Sequence, residues 1–390
     1  MMMKERLLRE FAERFGNAEG AQVYFAPGRV NLIGEHIDYN GGHVFSCTLD
    51  IGTYAVVRKR QDQRLFFYSM NYPDVGIINC SLANGLENDE EDGWANYPKG
   101  VIWAFGKRGM QPDCGLDMMV YGNIPSESGL SSSASLEVLT GWVLRDIFDF
   151  EVSDQDIAWI GQYSENEFNG VNGSIMDQFA IAMGRENHAI YLNAEDLSHR
   201  YIPIHLDGVQ LVIACTNKER DLADSKYNLR RMECERAVAD LQKAVAIEKL
   251  GELSQNDFEA CQSAIEDPVC IRRARHAVTE NERTIQAVEA LESNDLDTFG
   301  QLMNDSHRSL RDDYEVTGDE LDALVEAAWE TEGVLGSRMT GAGFGGCTIS
   351  LVRTDDVDNF IKKVGRSYRQ QIGYPADFYI CKIGGGPVKL

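Results

Sequence analysis

Basic charge is what this sequence most lacks: 37 Lys and Arg stand against 62 Asp and Glu, a formal net charge of −25. Such a polyanion repels nucleic acid and anionic lipid at long range, so neither is expected as a partner. No stretch approaches the ~20 apolar residues of a membrane span. Residues 1–15 are charged and amphipathic, unlike the apolar core of a secretory signal. A soluble, cytoplasmic protein is the expectation. Cys-x-x-Cys pairs are also missing. The nine cysteines are scattered and odd in number, so neither a zinc site nor a disulfide framework is indicated. Reduced, mostly buried thiols are expected.

What is present is an ordinary globular composition, 43% hydrophobic and 25% charged, which excludes intrinsic disorder. The 390 residues suit two domains better than one core. Leu7, Leu8, Phe11 and Phe15 share one face of an opening helix. A strand-like pattern over 23–57 is broken by Gly28, Gly34, Gly41, Gly42 and Gly52, and strand-like alternation follows over 65–70, 75–80 and 116–121, with a helix over 97–108 and further helices over 157–167 and 175–183. Beyond strands at 189–193 and 209–215 the texture changes to long charged helices over 226–250, 272–291, 296–309 and 318–331. Strands at 347–352 and 378–383, with a helix over 357–372 between them, close the chain. We place the boundary near 205, giving domains 1–205 and 206–390. Helices and strands without regular βαβ alternation make both halves α+β.

Three segments carry chemistry. The first is Pro125-Ser126-Glu127-Ser128-Gly129-Leu130-Ser131-Ser132-Ser133-Ala134-Ser135, which follows a strand and opens a helix. Gly129 lets the backbone approach a ligand, and first-turn N–H groups at a helix start attract phosphate. One serine would suffice as a plain N-cap, and three in a row favour phosphate. Their hydroxyls can also ligate Mg²⁺. Neither a Walker-type loop nor the protein-kinase motif set is present. The second segment, Pro27 to Gly42, packs Arg29, Glu35, His36 and Asp38 between glycines, on what should be a loop. Carboxylates there can accept paired hydroxyls, which suits a polyol. Arg29 can pair with a carboxylate or stabilise a transferring phosphoryl group. In the third segment, Arg338 to Cys347, Gly341, Gly343 and Gly346 match Gly-x-Gly-x-x-Gly. A strand follows where a dinucleotide site needs a helix, so that fingerprint is rejected. Asp177 in a helical first turn and Glu165 twelve residues earlier would pass, on spacing alone, for a dipole partner and a helix surface residue.

Together these segments resemble the galactokinases, within the GHMP family of small-molecule kinases. Gly28-Arg29-Val30-Asn31-Leu32-Ile33-Gly34-Glu35-His36-Ile37-Asp38-Tyr39-Asn40 is similar to their signature, and Gly129 to Ser135 to the shared ATP loop. Arg338 to Cys347 resembles the third family motif, and further similar text lies at Thr216-Asn217-Lys218, Ser225 to Asn228 and Ser309 to Gly318. The resemblance implies MgATP-dependent phosphorylation of α-D-galactose at its 1-hydroxyl, the entry step of galactose catabolism. It implies a ribosomal-protein-S5-domain-2-like N-terminal domain, a ferredoxin-like C-terminal domain and a site in the cleft between them, in a protein expected to be a monomer. Asp177 would act as base with Arg29 beside it. Glu35, His36, Ile37, Asp38 and Tyr227 would surround the sugar. Ser133 and Glu165 would hold Mg²⁺. Glu127, Ser128, Gly129, Leu130, Ser131, Ser132 and Ser133 would wrap the phosphates, with Ser69 touching the nucleotide.

Three positions depart from the family pattern: Ile37 for Thr, Ser46 for Pro, and Ser174 for a Gly expected close to the sugar. A kinase for a related sugar (N-acetylgalactosamine, arabinose or galacturonate) is the nearest alternative. A non-catalytic sensor of galactose and ATP is a second. The intact serine loop and Asp177 argue against the sensor.

Overall fold

Two β-sheets, each armoured by helices, share a core. The computed structural model describes residues 2–125, 129–171, 173–218 and 223–390, the side chains at 223–225 aside. The chain opens with α1 (Met2–Phe15), then β1 (Gln22–Ile33), β2 (His43–Lys59), β3 (Arg64–Ser69) and β4 (Ile78–Ser81). Next come α2 (Asn96–Lys107), β5 (Leu116–Gly122), α3 (Ser132–Phe148), α4 (Asp154–Tyr163), α5 (Met176–Ala182), β6 (His188–Asn193) and β7 (His199–Pro203). The remainder runs β8 (Val209–Cys215), α6 (Ala223–Leu241), α7 (Gln255–Cys261), α8 (Pro268–Glu292), α9 (Leu296–Ser309), α10 (Asp319–Trp329), β9 (Val334–Thr340), β10 (Cys347–Arg353), α11 (Val357–Ile372), β11 (Asp377–Cys381) and β12 (Val388–Lys389).

The larger sheet has the order β12-β1-β2-β5-β3-β4, with β6 on β2 and β7 on β6. Period-two side-chain alternation divides it into two faces. Val23, Val56 and Met119 lie under Leu7 and Phe11 of α1, whereas Tyr24, Ala55, Val57, Met118 and Val120 belong to the core that includes α2, α3, α4 and α5. The smaller sheet is antiparallel throughout, in the order β11-β8-β10-β9. Numbered from β8, that order is 4-1-3-2 with helices between the first and second and the third and fourth strands, the ferredoxin-like arrangement. Its Val212, Ala214 and Val352 pack with α10 and α11. Leu211, Ile213, Ile349 and Leu351 instead join Val30, Leu32, Ile33 and Phe45 of the larger sheet in one shared core. The cleft is thus backed by apolar packing between the halves.

Several expectations need correction. Residues 28–33 are not loop but the end of β1, paired with β2 through register shifts at Pro27/Arg29 and Asn31/Ile33. Pro27 and Gly28 read as turn punctuation, yet Val30 and Ile33 are fully buried, and buried strands tolerate bulges beside functional sites. The start of the third motif likewise lies on a strand, β9, while β7, α7 and β12 had no counterpart in the sequence reading. The first long charged helix, α6, ends at Leu241, not at 250. Cys215 and Cys347 are not reduced thiols: they face each other across β8 and β10, Cα atoms 4.2 Å apart, as a disulfide. Register closes that pair over a sequence separation of 132.

Candidate active site

The bulges in β1 deliver Arg29 to the mouth of the serine loop. Its side chain forms a two-pronged pair with Asp177 at the start of α5, Nε to Oδ1 at 2.8 Å and Nη2 to Oδ2 at 2.7 Å. Its third nitrogen, Nη1, donates to the Gly129 carbonyl at 2.7 Å. Ser131, which precedes α3 in a left-handed conformation (φ 58°), does not cap that helix. Its hydroxyl donates instead to Asp177 Oδ2. Gly129, Ser131, Arg29 and Asp177 therefore form one unit that joins the serine loop to the cavity beside it. Gly341 of the third motif closes on the same loop: at φ +85° a Cβ there would stand 3.1 Å from the Gly129 carbonyl. Only glycine accepts both the conformation and the approach.

The cavity encloses about 320 Å³, within the usual range for small-molecule sites. Arg29, Glu35, His36, Asp38, Glu165, Asp177 and Tyr227 all line it, with Ser174 and Gly341. Glu35 is 2% exposed; it accepts from Arg338 Nη2 at 2.5 Å, Thr340 Oγ1 at 3.0 Å and Gly341 N at 2.8 Å. Three of a carboxylate's roughly four lone-pair sites are thus occupied, leaving one for a ligand. Burial pushes its carboxyl up, and Arg338 opposes that shift. Asp38 is likewise raised by burial, against a hydrogen bond from Ser174.

His36 lines the cavity with both ring nitrogens engaged. Its Nε2 lies 3.1 Å from the Ala342 carbonyl and can only donate there. Nδ1 then accepts from the Tyr39 hydroxyl at 2.9 Å, and Tyr39 accepts from Tyr314 at 2.8 Å. Cys234 Sγ, 3.1 Å from the Tyr314 oxygen, ends the chain as its donor. Both ring nitrogens are used within the protein, and burial holds the ring neutral by lowering its pKa to about 3. These contacts fix the tautomer and the orientation of the His36 ring in the cavity wall. Tyr227 stands 5.5 Å from it, ring centre to ring centre.

Glu165 lies in a π-helical turn, Ser164–Phe168, and its Oε2 accepts from Gln178 Nε2 at 2.9 Å. Burial pushes its carboxyl up to about 7, opposed by hydrogen bonds from Gln178 and Ser133. Ile37, expected against the ligand, is fully buried in the core and does not line the cavity. Leu130 is also buried in the shared core. Ser132 is exposed in the first turn of α3. Ser69 is buried at the end of β3, outside the cavity wall, with its hydroxyl accepting from Asn71 N at 3.2 Å. Glu127 and Ser128 lie outside the described residues. Sequence reasoning assigned no role to Arg338, Tyr39, Tyr314, Gln178 or Glu137. Arg338 carried a signal as a cation opening the third motif, and Tyr39 and Tyr314 stood within segments similar to the family's.

Comparison with known proteins places the chain in a family. A galactokinase galactose-binding signature matches residues 9–59, the GHMP kinase N-terminal domain residues 96–185 and the GHMP kinase C-terminal domain residues 287–370. The galactokinase of Clostridium beijerinckii is 54% identical over 381 residues, covering 98% of this chain and 97% of its own. That of Bacillus subtilis is 53% identical over 388 residues, covering 100% and 99%. The crystal structure of Lactococcus lactis galactokinase complexed with galactose matches with a TM-score of 0.96 and 47% identity over 100% of both chains. A Methanococcus jannaschii mevalonate kinase, at TM-score 0.68 and 19% identity, shares the fold. With its three family segments in place and its relatives matched end to end, the chain belongs to the galactokinases of the GHMP kinase family.

Proposed function

We propose that the protein transfers the γ-phosphoryl group of ATP to the 1-hydroxyl of α-D-galactose, with Asp177 as proton acceptor. The two-pronged Arg29–Asp177 pair in the cavity wall, tied to Gly129 and Ser131, carries this reading. Asp177 receives the sugar hydroxyl and takes its proton as the bond to phosphorus forms. Arg29 keeps the carboxylate in register and faces the charge that gathers on the transferring group. Phosphoryl transfer depends mostly on positioning and charge neutralisation, so a carboxylate held by a guanidinium is base enough.

The sugar lies against Glu35, Asp38 and Tyr227, with the neutral His36 ring as part of the wall. The ATP phosphates follow the loop from Glu127 to Ser133, and the nucleotide extends towards Ser69. Ser133 and Glu165 offer a hydroxyl and a carboxylate, a hard oxygen pair that suits Mg²⁺ with phosphate and water completing its shell. A cation there also fits the electrostatics, since burial and the neighbouring Asp177 both raise the cost of charge on Glu165. When bound, Mg²⁺ neutralises developing charge on the phosphates. The protein works in the cytoplasm as a monomer. Release of ADP, measured with ATP and each of a panel of hexoses, pentoses and N-acetylated sugars, tests the reading. Galactose should give the highest kcat/KM, and preference for another sugar would overturn it.

A further inference from the structure

Behind Glu165 sits a carboxyl that the transfer itself does not touch. Glu137 of α3 is 0% exposed, and its Oε2 accepts from Gln178 Nε2 at 2.9 Å. The same nitrogen gives its other hydrogen to Glu165 Oε2, also at 2.9 Å. One amide therefore holds two carboxyl groups, and Gln178 is itself 0% exposed. The clamp is walled on both sides by missing side chains. A Cβ on Gly161 of α4 would meet Gln178 Cγ at 3.0 Å and Glu137 Cβ at 3.6 Å. A Cβ on Gly173 would meet Glu165 Oε2 at 2.6 Å.

The group is poorly explained as a device for stability. Glu137 Oε1, Gln178 Oε1 and Ser164 Oγ, all buried, have no hydrogen-bond partner among the described residues. Each such orphan costs free energy, and unsatisfied groups in a native core call for a functional reason. Burial and the nearby Glu165 push the Glu137 carboxyl well above the usual carboxylate range. A Leu or Met would fill this space without those costs.

We propose that Glu137 is a positioning residue for the cation end of the reaction: through the Gln178 amide it fixes the Glu165 carboxylate beside Ser133. The inference rests on the reading of Ser133 and Glu165 as the cation pair. Carboxylates that bind metal are commonly oriented by such outer partners, whose loss weakens metal affinity by about 10–100-fold.

The test is Mn²⁺ binding to the full-length protein with a non-hydrolysable ATP analogue, followed by electron paramagnetic resonance, alongside the Mg²⁺ requirement of turnover. Glu137→Met removes the acceptor and should weaken Mn²⁺ binding by about tenfold, with galactose KM unmoved. Glu137→Gln keeps a carbonyl for Gln178 and should restore affinity to within about twofold. If Glu137→Met does not fold, Gln178→Met cuts the tie from the other end and should give the same loss. Unchanged Mn²⁺ affinity in the folded variant, with affinity lost in Glu165→Gln, overturns the inference and leaves the cation pair standing. Unchanged affinity in Glu165→Gln overturns the cation pair itself.

Discussion

Arg338 and Glu35 form a fully buried ion pair, Nη2 to Oε2 at 2.5 Å, between β9 of the smaller sheet and the turn that follows β1 of the larger. Arg338 also reaches the Asn31 and Leu32 carbonyls at 3.3 Å and Ser306 Oγ at 3.2 Å. The cleft is fastened by charge as well as by apolar packing, and Glu35, one half of the fastener, lines the cavity. Breaking one partner of a buried pair strands the other, at a cost of about 3–5 kcal/mol. Arg338→Met should lose that much in urea unfolding, and Arg338→Met with Glu35→Leu should recover part of it. Additive losses would mean that the two side chains do not depend on each other.

Acid should reveal a second buried carboxylate. Glu280 accepts from Gly34 N at 3.1 Å, Ser306 Oγ at 2.6 Å and Arg283 Nε at 2.8 Å. Burial alone would raise its pKa, but Arg283, His276, Arg338 and Ser306 outweigh it and bring it down to about 2. A folded pKa below the unfolded value gives stability that is present above about pH 4.5 and lost as pH falls towards 2. Glu280→Gln should therefore cost about 3 kcal/mol at pH 7, a difference that shrinks across that acid window. A penalty independent of pH would show that charge on Glu280 contributes nothing.

Arg29→Lys keeps a positive charge but loses the fork that grips Asp177 and Gly129 together. Its kcat should fall by about 100-fold or more, with a smaller change in galactose KM. Steady-state kinetics separate the two. A change confined to KM would make Arg29 a binding residue.

Ser174 donates a hydrogen bond to Asp38 in the cavity wall. Ser174→Gly frees that carboxylate and should raise galactose KM by a few-fold, on the ~1 kcal/mol scale of one hydrogen bond, while kcat stays within about twofold. Identical kinetics on every sugar tested would show that the hydroxyl is idle.

Thiol counting checks the disulfide. The unfolded, unreduced protein should show seven reactive thiols, Cys47, Cys80, Cys114, Cys234, Cys261, Cys270 and Cys381. All nine should appear after reduction, and nine at the outset would contradict the Cys215–Cys347 bond.

Residues grouped in short segments were the most legible in the sequence. Arg29, Glu35 and Asp38 lie within ten positions, and Ser131 to Ser133 are adjacent, so local composition alone marked them. Contacts made by register were not legible. Cys215 meets Cys347, and Arg338 meets Glu35, only after strands far apart in sequence pair or pack. Glu137 and Gln178 were passed over because a polar residue within a helix usually faces water, and nothing in spacing shows that both face inwards. The strand end at 28–33 was hidden by its own bulges, since Pro27 and Gly28 carry the signal of a turn.

The central claim is that Asp177 turns a bound sugar into a phosphoryl acceptor. Its most direct measurement is ADP release from ATP by the native protein and by Asp177→Ala, each with and without galactose, with folding checked by thermal melting. We predict galactose-dependent release by the native protein and none above background in the variant, with both melting cooperatively. Galactose-dependent release that survives Asp177→Ala, or a native protein that binds both ligands without turnover, would contradict the account.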